Sequence, residues 1–160
     1  MSDRVGLARV QGRGSYKISP ALKEFARQMR EQGRKQFVVD LLECDGMDST
    51  FMGTLAGICQ RYTQAGGEPV AMTSVSPKLR QLMKTLGLDR LVQIQDTSWQ
   101  QEESLTSLTG TASAPSASSL ESAEHILEAH ETLVKLSPEN LSKFEDCIQY
   151  LRKDVQHRKS

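Results

Sequence analysis

Residues 37–42, FVVDLL, are apolar and β-branched, with polar GRKQ before them and ECDG after. A half-exposed strand alternates in polarity. This run does not, so it reads as a strand covered on both faces, as parallel strands between helices are. Such a strand needs helices close by in the chain, and the flanking sequence supplies them. Ser19 as N-cap and Pro20 in the first turn open a segment in which Leu22, Phe25, Ala26 and Met29 recur at i, i+3, i+4 and i+7, and Gly33 ends it. Met52, Leu55, Ala56, Cys59 and Tyr62 repeat the helical spacing up to Gly66-Gly67. PVAMTSV (69–75) reads as a strand. Ser76-Pro77 starts a helix carrying Leu79, Leu82, Met83 and Leu86, which stops at Gly87. VGLARVQ near the N-terminus and LVQIQ (91–95) complete a sheet of about four strands. Strands alternating with helices predict an α/β layer with right-handed crossovers.

The character changes after residue 95. DTSWQQEESLTSLTGTASAPSASS (96–119) is rich in Ser, Thr, Ala and Gln and has no Lys or Arg, the composition of a linker. Trp99, alone in the chain, is expected to pack against the last strand or helix of the domain. Beyond lie two apolar stripes at helical spacing: Ala123, Ile126, Leu127, His130, Leu133 and Val134, then Leu141, Phe144, Ile148, Leu151 and Val155. The short KLSP between them predicts an antiparallel helical hairpin. Two helices alone make a thin core, so the hairpin should rest on the α/β domain, a second copy or a partner. The expected division is a domain over 1–98, a linker over 99–118 and a hairpin over 119–156.

The formal charge of zero conceals two halves. Residues 1–90 hold fourteen Lys/Arg against nine Asp/Glu, and residues 91–160 hold six against eleven. Neither half is basic enough, and aromatics are too few, for nucleic-acid binding. The opposite signs favour the tail lying against the front of the molecule. No apolar run approaches the ~20 residues of a membrane span, and the first residues lack the apolar segment of a signal peptide. A cytoplasmic protein is expected. Cys44, Cys59 and Cys147 show neither disulfide nor zinc spacing and read as small hydrophobes in a reducing compartment.

Chemistry is sparse. No phosphate-loop or dinucleotide motif is present, and GRG at 12–14 reads as a turn after the first strand. Asp40, Asp45 and Asp48 could hold a divalent ion only if folding converged them. His125 and His130, five apart, stand about 140° apart around a helix and do not converge on one ion. His130, on the apolar stripe, reads as a partly buried structural histidine. The junction GMDSTFMG (46–53) remains. Asp48 or Ser49 there can cap the following helix, or Ser49 can present its hydroxyl. As a nucleophile Ser49 would need a base, and His125 could serve only if the hairpin docked. Neither metal nor cofactor is expected.

The order of these features resembles the STAS domain of bacterial anti-sigma-factor antagonists: Asp40-Leu41 ending a strand, Met47-Asp48-Ser49-Thr50 opening a helix, Gly53, Gly66-Gly67, Ser76-Pro77, then Leu86-Gly87-Leu88 before a last strand. The resemblance spans about residues 4–95. It implies a STAS-like mixed β-sheet covered by helices, with the C-terminal hairpin as an addition that receives no role from the family. It also implies a non-enzymatic binding module of a partner-switching pathway, in which Ser49 is the phosphoacceptor. The implied partners are a serine kinase, often the anti-sigma factor itself, and a metal-dependent serine/threonine phosphatase that resets the site.

On this reading Ser49 stands outward at an exposed helix start. The partner surface comprises Asp48, Thr50, Phe51, Met52 and Gly53 together with Arg13 and Ser15. Two positions depart from the family: Phe51 stands where it has glycine, and Gly12-Arg13-Gly14-Ser15 replaces its Gly-Glu-Leu-Asp turn. Arg13 could therefore meet a phosphate on Ser49. The alternative is a constitutive STAS scaffold that is never phosphorylated, with the hairpin driving homo-oligomerisation. An enzyme using Ser49 or the aspartates is a second rival.

Overall fold

The computed structural model describes residues 5–95, 105–109 and 119–159. In chain order the elements are β1 (Val5–Gly14), α1 (Ser19–Glu31), β2 (Gln36–Asp40), β3 (Cys44–Met47), α2 (Ser49–Gln64), β4 (Ala71–Thr73), α3 (Pro77–Thr85), β5 (Gln93–Gln95), β6 (Leu105–Thr109), α4 (Ser119–Leu136) and α5 (Asn140–Lys159). The strands form one sheet in the order β3-β1-β2-β4-β5, and β6 also pairs with β1. Every pairing is parallel. Leu7 stands between Val38 of β2 and Leu105 of β6, so β1 is paired along both edges.

The α/β class holds, with the first four residues of FVVDLL at its centre: Phe37, Val38 and Val39 are fully buried, whereas the strand ends at Asp40 and Leu42 beyond it is exposed. Phe37 packs between Phe25 and Tyr62 at ring-centroid distances of 5.8 and 5.6 Å. Among the described residues the sheet has six strands rather than about four, and it is parallel throughout rather than mixed. β3 is CDGM, which carries no polarity pattern, because its pairing with Gly12–Gly14 uses backbone. β6 lies inside the segment expected to be a linker. A Ser/Thr-rich stretch has few side chains for a core, yet its backbone can still extend a sheet edge. At α1 the N-cap is Ile18; the Ser19 hydroxyl instead donates to the Ser15 carbonyl at 2.9 Å. Ser76 does cap α3, accepting from the Leu79 N–H. Trp99 lies outside the described residues. Among those described, no helix is long and apolar enough to cross a membrane.

The hairpin packs on the domain. Leu133 is fully buried and joins the main core with Leu136 and Phe144. The Asn140 amide, 1% exposed, donates to the Leu86 carbonyl at 3.0 Å and to the Leu133 carbonyl at 2.8 Å, tying the turn of the hairpin to the end of α3. Lys143 Nζ donates to the Thr85 carbonyl. Along α4, Glu128 accepts from Lys23 of α1 and Arg61 of α2 at 3.0 and 2.8 Å. This is the opposite-charge contact expected between tail and front, although such half-exposed pairs contribute little each. His125 Nε2 lies 3.2 Å from the Thr54 hydroxyl.

Replacing Asn140 with Ala takes the side-chain donor from the Leu86 carbonyl and one of two donors from the Leu133 carbonyl, which keeps the Ser137 N–H. The expected cost is ~1–3 kcal/mol, read as a fall in Tm of roughly 2–4 °C per kcal/mol for a chain of this size. Burial lowers the His125 pKa; Lys23 adds to the effect, Glu128 opposes it, and Arg61 adds a smaller lowering. The unfolded chain therefore binds a proton at His125 more readily, and stability falls as pH drops below about 6.5. His125→Gln should flatten the thermal-melting profile between about pH 7.5 and 5.5. An unchanged slope would remove His125 as its source.

Candidate functional site at the start of α2

β3 ends at Met47 and the chain turns into α2 through Asp48, whose backbone is extended. One carboxylate oxygen of Asp48 accepts from the Phe51 N–H at 2.8 Å and the other from the Tyr16 N–H at 2.8 Å. Its own N–H donates to the Gly14 carbonyl. Asp48 thus caps α2 and fixes the β1–α1 connection to it. This settles one ambiguity of the sequence. Ser49 is not the cap, and its hydroxyl is not needed to satisfy the helix start.

That hydroxyl lies 2.9 Å from Nε2 of His130 on α4. The other ring nitrogen, Nδ1, lies 2.8 Å from the Ile126 carbonyl. A carbonyl can only accept, so Nδ1 carries a proton. In the neutral ring Nε2 is then an acceptor, and Ser49 donates to it. His130 is 4% exposed, with the edge of its ring contact on Phe144. The expectation of a partly buried structural histidine holds, but its partner is the candidate phosphoacceptor itself. Ser49 is half-buried rather than outward-facing, because α4 lies over it.

The expected partner surface does not form one exposed face. Arg13 is exposed and Asp48 half-buried, whereas Ser15, Thr50, Phe51, Met52 and Gly53 are buried. Phe51 and Met52 therefore offer no free contact area. Phe51 stands about 200° around the helix from Ser49, which turns it into the domain. There its ring fills the space above Gly14, where an added Cβ would lie 2.9 Å away. Ser15 accepts from the Lys17 N–H within its own turn. Gly53 is covered by the hairpin: a Cβ there would lie 2.2 Å from the Ala129 carbonyl oxygen. The backbones of α2 and α4 meet at this point.

Sequence reading missed the roles of His130, His125, Ala129 and Glu128. A signal was present. Ser49 and Thr54 are five residues apart, as are His125 and His130, and an antiparallel helix pair matches first with last. The two histidines do not converge on an ion but serve one hydroxyl each. Among the described residues, no group of three or more His, Cys, Asp or Glu assembles as a metal site. Asp40 is engaged by Arg9 and the Leu42 N–H, and Asp48 by its cap.

A serine 2.9 Å from an imidazole has the spacing of an activated nucleophile. Here the ring is oriented by a backbone carbonyl and walled by Phe144. The neighbouring cavity between α2 and α4, lined in part by Gly53, Thr54, His125 and Ala129, measures about 10 Å³, at most the size of a water site. The pair closes an interface between two helices.

With this geometry in place, the chain can be set beside known proteins. A search of curated proteins finds no match. Among solved structures, the NMR structure of the protein TM1081 aligns with a TM-score of 0.55 at 21% identity, covering 61% of this chain and 78% of that one. A crystal structure of a putative anti-sigma factor antagonist from Thermotoga maritima aligns at 0.50 and 22% identity, covering 54% and 74%. The anti-sigma factor antagonist SpoIIAA in its unphosphorylated form aligns at 0.51 and 14% identity, covering 61% and 84%. At these identities the likeness is one of fold. A family model for the STAS domain matches residues 2–100, more than half of the sequence, and on that match the chain belongs to the STAS domain family.

Proposed function

We propose that this chain is a protein-binding module of a partner-switching pathway, with the start of α2 as its docking face and Ser49 as its phosphoacceptor. A serine kinase would add the phosphate and a phosphatase remove it. The observation that carries the reading is the division of labour at the helix start: Asp48 supplies the cap, so the Ser49 hydroxyl can be modified without undoing α2.

Phosphorylation forms a bond from Ser49 Oγ to the γ-phosphorus of a nucleoside triphosphate. The diphosphate leaves and the hydroxyl proton is lost. The product carries about −1.5 to −2 charges. Its ester oxygen has no proton to give His130, and its added oxygens need the space that the imidazole fills. The first companion a phosphate displaces is therefore the chain's own hairpin. The helix dipole favours a dianion here by about 0.3–1 kcal/mol, so the domain itself keeps its fold. Moving a docked element from nearly all bound to nearly all free takes about 5.5 kcal/mol, within what burying an unpaired dianion costs. Arg13, exposed at the end of β1, remains a candidate to meet the phosphate.

The half-burial of Ser49 favours a second reading, a constitutive scaffold whose serine is never modified. Incubation with ATP and lysate of the source cells, followed by mass spectrometry, separates the two. Phosphate on Ser49, absent from Ser49→Ala, is the expected result, and a serine that stays unmodified under all conditions supports the scaffold. If α4 guards the hydroxyl, His130→Ala should raise the initial rate of Ser49 phosphorylation several-fold. An equal rate would mean that the hairpin does not limit access.

A further inference from the structure

The α2 residues that hydrogen-bond to α4, face its backbone or line the small cavity beneath it include Ser49, Gly53, Thr54, Gly57 and Arg61. None is a large apolar residue. The large apolar side chains of α2, among them Phe51, Leu55 and Ile58, belong to the domain core. A helix clamped permanently between two layers shows apolar residues on both sides. This one turns toward α4 a stripe of hydroxyls, glycines and one cation, a surface that water can cover. From the hairpin, Leu133 enters the core with Leu136 and Phe144 packed against it, beside His130 and the ion pairs around Glu128. An apolar centre within a polar rim is the anatomy of a separable interface.

Resting on the docking role assigned above to this face, we propose that α4 is an internal occupant of it. The chain rests closed, and a partner's amphipathic helix takes the same seat. The contacts of α4 describe that partner. It runs antiparallel to α2, sets a residue as small as Ala129 over Gly53, offers a carboxylate to Lys23 and Arg61, and fills the socket of Leu133. The hairpin is a strong competitor because nine residues join Thr109 of β6 to Ser119 of α4. So short a tether holds the occupant at an effective concentration in the millimolar range. A partner that needs the open form loses affinity in proportion to its population, so a face open about 1% of the time weakens binding about 100-fold.

Hydrogen exchange on the unmodified full chain tests this first. Amides of α4 and α5 should exchange as one unit, at least about tenfold faster than those of β1, β2 and central α2. Exchange of hairpin and sheet at one common rate would overturn the proposal. The second arm titrates a labelled peptide with the sequence of residues 119–136 into the wild-type chain and into Ala129→Glu/Leu133→Asp, which spoils the hairpin's seating and leaves α2 untouched. Binding to the variant should be at least about tenfold tighter than to wild type and should vanish when Gly53→Leu is added. Equal binding to all three, or none to the variant, would count against the seat. Neither arm involves phosphate, so a Ser49 that never accepts phosphate defeats the proposed switch alone, and a hairpin that exchanges with the sheet defeats the proposed seat alone.

Discussion

A Cβ at position 53 would occupy the place of the Ala129 carbonyl, and the meeting of hairpin and domain follows from its absence. Glycine lets two helix backbones touch where any other residue would hold them apart. Once α4 lies that close, the side chains on either side of the contact come within hydrogen-bonding reach. His130 meets Ser49, His125 meets Thr54, and Glu128 reaches Lys23 and Arg61. The far end is fixed by Asn140, which holds the hairpin's turn against the end of α3. The contact resembles a latch more than a core: backbone proximity at its middle, polar bonds along it, and Leu133 beneath with Leu136 and Phe144 packed beside it.

The polar character gives the seat its sensitivity. An apolar interface responds weakly to one added charge at its edge. Here the bond nearest the start of α2 uses the proton on the Ser49 oxygen, and the proposed phosphate would remove that proton and fill the adjacent space. The carboxylate of Asp48, occupied by two backbone N–H groups, keeps the helix start intact throughout. Capping and the contact with the hairpin therefore fall to different side chains on neighbouring residues, so a modification of Ser49, as proposed, would act on the hairpin without unfolding the domain.

Much of the sheet and its helices was legible in the chain because their patterns are periodic. FVVDLL announced a doubly covered strand, and Phe37, Val38 and Val39 are buried as that reading requires. β3 and β6 were not legible, since CDGM and LTSLT join the sheet through backbone groups that leave little mark on composition. At the site, the junction of Asp48 and Ser49 could be located, but not which of the two would cap. Phe51 and Met52 were assigned to the surface by their nearness in sequence to Ser49, whereas rotation along the helix carries them into the core. The seat of the hairpin depends on contacts across some eighty positions, as in Ser49–His130, and no local pattern encodes those. The opposite charges of the two halves pointed to docking, and the matched spacing of five on the two helices pointed to its register.

On this reading the Ser49 hydroxyl helps to hold the hairpin closed. The most direct test is a distance in solution, between a spin label on the exposed Cys147 of α5 and one at Lys84→Cys on α3. It should be measured in chains carrying either serine or phosphoserine at position 49. The account expects one narrow distribution for serine and a broad, longer one for phosphoserine. The same narrow distribution in both chains would contradict it.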